Sequence, residues 1–138
     1  MSTDLGMAAL VVARREIGHG ESGGQNNGGP DVVRYRNGVN DFGAWCASFA
    51  SYCLERGAVE LERKNPVRRS ASAKRLAKNV IQAGGVFLEQ PEPGCLALFH
   101  RGVAGAVTGH ICIVESVDPD GGYGTFAEAL RPEARVQR

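Results

Sequence analysis

The stretch that decides the fold runs from Ser70 to Phe99, SASAKRLAKNVIQAGGVFLEQPEPGCLALF. Its first half is helical in pattern. Ala73, Leu76, Ala77 and Val80 recur at helical spacing, Ser70 or Ser72 stands where an N-cap belongs, and Gly84-Gly85 ends the run. These signals predict a helix over about 70–83. The second half changes period. Val86 to Leu88 and Cys95 to His100 are short β-type runs separated by Pro and Gly, and His110 to Val117 and Tyr123 to Ala129 continue the series. Helices first and strands second predict an α+β fold, with N-terminal helices packed on a small antiparallel sheet.

Upstream of this junction the helical pattern repeats. Ser2, Thr3 or Asp4 can cap a helix over about residues 5–17, with Leu5, Ala9, Val12 and Glu16 along one stripe and Gly18 as its stop. Residues 18–30, GHGESGGQNNGGP, read as a loop, and a short helical turn carries Val32, Val33 and Tyr35. The turn-rich NGVNDFGA (37–44) then leads into WCASFASYCLERG. This reads as a helix over roughly 45–56 that ends at Gly57, with Cys46, Phe49 or Ala50, and Cys53 on one face.

At 138 residues the chain is read as a single domain, 1–138, with its core over about 5–130. Hydrophobic residues make up 43%, enough for a core, and the net charge of +1 argues against a nucleic-acid partner. The basic run from Arg63 to Lys78 reads as a solvated helix face, with contact to an anionic surface as the alternative. The N-terminus has no signal-peptide pattern, because Arg14 and Arg15 follow its apolar run. No apolar stretch approaches the ~20 residues a bilayer span needs, so stable membrane insertion is not expected. The protein is therefore expected to be made in the cytoplasm, as a monomer. Cysteines 46, 53, 95 and 112 lack CxxC spacing, which speaks against structural zinc, and a disulfide framework is not expected.

At least one thiol needs another explanation, and Cys46 supplies it. A thiolate is favoured at a helix N-terminus by unpaired N–H groups and the positive end of the dipole. Cys53, mid-helix, reads as a small core hydrophobe. Among the histidines, His19 lies in the glycine-rich loop and His100 ends a strand beside Arg101-Gly102. His110 opens an apolar strand after Thr108-Gly109 and shares a face with Cys112 and Val114, which makes it the candidate base. A structural edge histidine is the competing reading. To orient the imidazole, Glu115 is on the wrong face and about 17 Å along the strand. Glu128 is the candidate instead, since a turn centred near Pro119 brings position 128 opposite position 110. An exposed strand carboxylate is its alternative. Trp45 could wall a substrate groove or simply pack.

The order of motifs (NNGGP, then WCASF, PGCLALF, GHICIV and a strand ending in FAE) resembles the CHAP-type peptidoglycan hydrolases of the papain-like and NlpC-type cysteine peptidases. It is similar in particular to single-domain versions encoded by phages. The resemblance covers about residues 5–130. It implies a papain-like fold and cleavage of peptidoglycan amide bonds, as N-acetylmuramoyl-L-alanine amidase or peptide endopeptidase. It carries the catalytic cysteine to Cys46, the histidine to His110 and the third polar residue to Glu128. Two positions depart from the family pattern. Ala129 and Leu130 follow Glu128 where Gly-Asn is common, and Cys95 replaces the Asp of a Pro-Gly-Asp turn, a change of turn chemistry. No cofactor or metal is expected, because no Asp-rich calcium loop precedes the cysteine. Access to the wall would depend on a holin or a delivery machine. A secreted effector, a cytoplasmic papain-like amidase and a degenerate, non-catalytic binding domain are the alternatives.

Overall fold

A computed structural model describes residues 4–17, 30–35, 46–86, 88, 90–100, 109–117, 123–125, 127–128 and 136–137. Among the described residues, four helices precede five strands: α1 (Asp4–Arg15), α2 (Pro30–Tyr35), α3 (Cys46–Glu60), α4 (Ala73–Gln82), β1 (Leu96–His100), β2 (Gly109–Val117), β3 (Tyr123–Thr125), β4 (Ala127–Glu128) and β5 (Val136–Gln137). Strands β1, β2 and β3 form an antiparallel sheet with β2 in the centre, and β4 pairs with β5 separately. The helices-then-sheet α+β arrangement follows the sequence reading.

The apolar stripe of α1 is buried at Ala9, Leu10, Val12 and Ala13, and α1 packs most extensively on α3. Small residues let the two helices approach. A Cβ built on Gly57 would lie 2.9 Å from Ala9 N and 3.1 Å from Ala8 C. Gly57 is therefore a close-contact residue inside α3, and the expected stop at that position is corrected. The helix runs on to Glu60 and ends in a Schellman turn. Glu62 N–H donates to Val59 O, Arg63 N–H donates to Ala58 O, and Glu62 takes φ +57°.

Helix α4 begins as its sequence implies. Ser72 is the N-cap, and its hydroxyl accepts from Arg75 N–H at 3.3 Å. It also ends as implied: Gly84 N–H donates to Ile81 O, Gly85 N–H to Val80 O, and Gly84 adopts φ +103°. The β-type run at 86–88 is a second correction, because Val86 and Leu88 stand outside any strand. The link between α3 and α4 is tied down by Ser51. Its hydroxyl donates to Ser70 O and accepts from Ser70 N–H, both at 3.1 Å.

The core gathers Leu10, Tyr35, Ala47, Phe49, Cys53, Leu76, Ile111 and Ile113. Strand β2 is buried at four successive residues, Ile111 to Val114, so it is covered on both faces. Entry into β1 is a tight turn, with Cys95 N–H donating to Glu92 O and Gly94 at φ +85°. A Cβ on Gly94 would also lie 2.8 Å from Gly6 C, so α1 is seated directly on this turn.

Candidate active site

Cys46 is the first residue of α3, and it is 8% exposed. The N–H groups of a first helical turn have no acceptor within the helix, and the dipole is positive there. Both effects favour a thiolate at such a position, and burial in the core opposes it. Cys53 lies two turns further, about 10 Å along the axis. It is fully buried, and burial, with a smaller contribution from Glu16, pushes its thiol well above the ordinary value. It behaves as the core hydrophobe its position suggests. All four cysteines are free.

His110 is the second residue of β2 and is partly buried. Its strand packs against α3, the helix that Cys46 opens. Ile111 and Ile113 belong to the same core cluster as Cys46, while His110, Cys112 and Val114 form the alternate set along β2. His110 pairs with Phe99 across the sheet, and His100 pairs with Gly109. The side chain of His100 lies outside the described residues, as do His19 and Trp45.

Glu115, set aside on strand geometry, has a cationic partner on α1. It accepts from Arg14 Nε at 3.2 Å, and its side chain is only 10% exposed. The register expected for Glu128 is corrected. Val117 pairs with Tyr123 and Ser116 with Gly124, one position off the expected register, and an irregularity between Val114 and Ser116 sets Val114 opposite Thr125. Among the described residues, pairing with β2 extends as far as Thr125. Glu128 lies in β4 opposite Val136, and its side chain is outside the described ones. The structure thus places the elements of Cys46 and His110 against each other, and it puts Glu128 on a separate two-stranded ladder.

Cys95 shows how its turn tolerates a thiol. Its Sγ accepts from Glu92 N–H at 3.4 Å, a role a short acidic side chain could fill in the same turn. Among the described residues, no group of three His, Cys, Asp or Glu is placed to hold a metal.

Sequence reading did not foresee the polar knot that ties the end of α1 to α2. Glu16, buried at the end of the α1 stripe, accepts from Tyr35 Oη at 2.7 Å and from Arg34 at 2.6 Å. Arg34 also reaches Asp31 and the Tyr52 hydroxyl. Burial, then the Glu16 hydrogen bond, pushes the Tyr35 phenol far up, so it stays a donor. Burial opposes the Arg34 charge, but Glu16, Tyr52 and Tyr35 together outweigh it and raise that group. The Tyr35 ring meets Phe49 edge-on at 4.9 Å, one turn beyond Cys46, and its carbonyl accepts from Arg69 at 2.7 Å. The one signal in the sequence is a carboxylate, Glu16, on an apolar stripe. A shallow cleft of about 160 Å³, lined by Val12, Arg15, Glu16, Tyr52, Arg56 and Glu60, lies on this side of α1 and α3, beyond the first turn that carries Cys46.

Comparison with curated proteins and with solved structures gives no match. A family model does match: the CHAP domain, over residues 35–129, from the last residue of α2 to just past β4. That span is about two thirds of the chain and contains Cys46, His110 and Glu128. With the nucleophile candidate at a helix N-terminus, the histidine on the strand packed against it, and the family match across both, the chain belongs to the CHAP-domain family.

Proposed function

We propose that this protein is a papain-like cysteine hydrolase that cleaves amide bonds in peptidoglycan, with Cys46 as nucleophile and His110 as base. CHAP domains are generally hydrolases acting on peptidoglycan. The observation that supports the reading is Cys46 at the first residue of α3, inside the matched domain, on the helix that packs against the strand of His110.

In the proposed reaction, His110 takes the Cys46 proton and the thiolate attacks the amide carbonyl. The Cys46 N–H and a neighbouring donor stabilise the oxyanion, and His110 returns the proton to the leaving amine. Water then hydrolyses the thioester. Glu128 is the proposed orienting carboxylate, and Trp45 the proposed wall of the groove. The biological setting proposed is a phage-type endolysin or virion-associated lysin that reaches the wall through a holin or a delivery machine.

Mass spectrometry of purified peptidoglycan tests this directly. Wild type should release muropeptides that Cys46→Ala does not, and the fragment masses separate amidase from endopeptidase. Release by both proteins, or by neither across several wall chemotypes, would reject the proposal.

A further inference from the structure

Tyr52, Arg56 and Glu60 stand four residues apart along one ridge of α3. With Val12 and Arg15 of α1, and Glu16 just after it, they line the cleft of about 160 Å³. Both carboxylates of this lining are engaged. Glu16 accepts from Tyr35 and Arg34, and Glu60 is in an ion pair with Arg15. The second pairing leaves Arg56 out. Glu60, four residues beyond Arg56, is the partner a helical cation would ordinarily take, but its carboxylate turns to Arg15 instead. Arg56 is exposed and is in no ion pair or hydrogen bond among the described residues.

A second donor stands one turn away. Tyr52 Oη accepts from Arg34 Nη1 at 3.2 Å, and its own proton goes to no acceptor among the described residues. The groups of the cleft still to be partnered are therefore donors, a guanidinium and a phenol. A ligand must bring the acceptor.

Charge and size narrow the choice. Arg34 and Asp31 adjoin the lining through Glu16, so three arginines (15, 34, 56) stand with three carboxylates (16, 31, 60) and the sum is zero. One negative charge can be met by the Arg56 fork. A dianion such as phosphate would meet the carboxylates with no second unpaired cation of the lining to offset them. At roughly 30 Å³ for each water-sized group, the cleft takes about five non-hydrogen atoms. Val12, 3% exposed, supplies apolar surface beside the donors. A carboxylate with two further carbons matches in charge, size and polarity.

We propose that this cleft binds a small aliphatic carboxylate, free or as the C-terminal residue of a peptide, with Arg56 and Tyr52 on the carboxylate and Val12 against its carbons. The site uses neither Cys46 nor His110 and is tested without reference to catalysis.

The full chain, labelled with nitrogen-15, is titrated at fixed pH and ionic strength with propionate, N-acetylalanine, N-acetylalaninamide and inorganic phosphate, and amide shifts are followed by NMR. N-acetylalanine or propionate should shift the amides of Val12, Tyr52 and Arg56, and the neutral amide and phosphate should bind at least tenfold more weakly. The tighter of the two acids tells a peptide end from a free acid. R56Q should bind that acid about tenfold more weakly and Y52F about fivefold, the loss expected for a charged and a neutral donor. Arg56 is exposed, so the R56Q spectrum should match wild type away from the cleft. Binding of the amide as tightly as the acids would overturn the proposal, as would phosphate binding as tightly as they do, or R56Q binding like wild type.

Discussion

Gly57 and Glu62 exchange the roles their residue types suggest, and this gives a test with opposite signs at two positions. In an exposed helix interior, Gly→Ala gains about 1 kcal/mol of helix propensity. At Gly57 the new methyl would sit 2.9 Å from Ala9 N, 3.1 Å from Ala8 C and 3.2 Å from Ala8 Cβ. Two of these neighbours are backbone of a packed helix, so relief requires α1 to shift rather than a side chain to turn. Overpacking of that kind costs roughly 1–3 kcal/mol, and the upper half of the range applies where backbone must move. The net for Gly57→Ala is a destabilisation of about 1–2 kcal/mol. Glu62, at φ +57°, holds a non-glycine residue in the left-handed region. Glu62→Gly should therefore stabilise by about 0.5–1 kcal/mol. Urea unfolding followed by circular dichroism measures both. A gain for Gly57→Ala, with a loss for Glu62→Gly, would refute the packing of α1 on α3 and restore a helix that stops at Gly57.

Three further outcomes follow from the geometry. Tyr35→Phe leaves Glu16 with Arg34 but without the phenol, and should cost about 1–2 kcal/mol in the same unfolding assay. Tyr35 and Cys53 both keep their protons in the folded state above the ordinary values of 10.0 and 9.0, at which the unfolded chain releases them. Their contribution is thus complete below about pH 9 and declines as pH rises, by up to about 1.4 kcal/mol per unit for each group. Tyr35→Phe should make that alkaline decline shallower by one proton, which stability measured against pH will show. Gly94→Ala meets both a positive φ and the Gly6 backbone at 2.8 Å, and should cost more than Gly57→Ala; an equal or smaller loss would contradict the seating of α1 on the turn before β1.

Local chemistry was legible in the sequence wherever its partner is also local. The Ser72 cap and the Gly84-Gly85 stop rest on contacts within a few residues, and strands β1 and β2 follow from the β-type residues of their runs. What the sequence could not disclose depends on distant chain. Gly57 reads as a helix stop until Ala8 and Ala9 are seen against it. Glu128 pairs with Val136 in a ladder of its own, and the β2–β3 pairing carries an irregularity between Val114 and Ser116; neither is written in residue type. Val86 and Leu88 have strand-like composition but stand outside the sheet, which composition alone cannot report. In the candidate site, Cys46 was identifiable because its helix start is a local signal. The Glu16–Tyr35–Arg34 knot was not, because its partners stand 18 and 19 residues apart in the chain.

The central claim is that Cys46 is an activated thiol paired with His110. The most direct test is the pH dependence of iodoacetamide modification at each cysteine, read by peptide mass spectrometry in wild type and His110→Ala. Cys95 is more exposed than Cys46, so accessibility alone would label it first. The account predicts that Cys46 reacts faster than the other three and at pH values well below the 8.5 of a free thiol, and that His110→Ala moves its profile toward that of a free cysteine. Slow labelling of Cys46 with an ordinary pH profile, unchanged by His110→Ala, would contradict it.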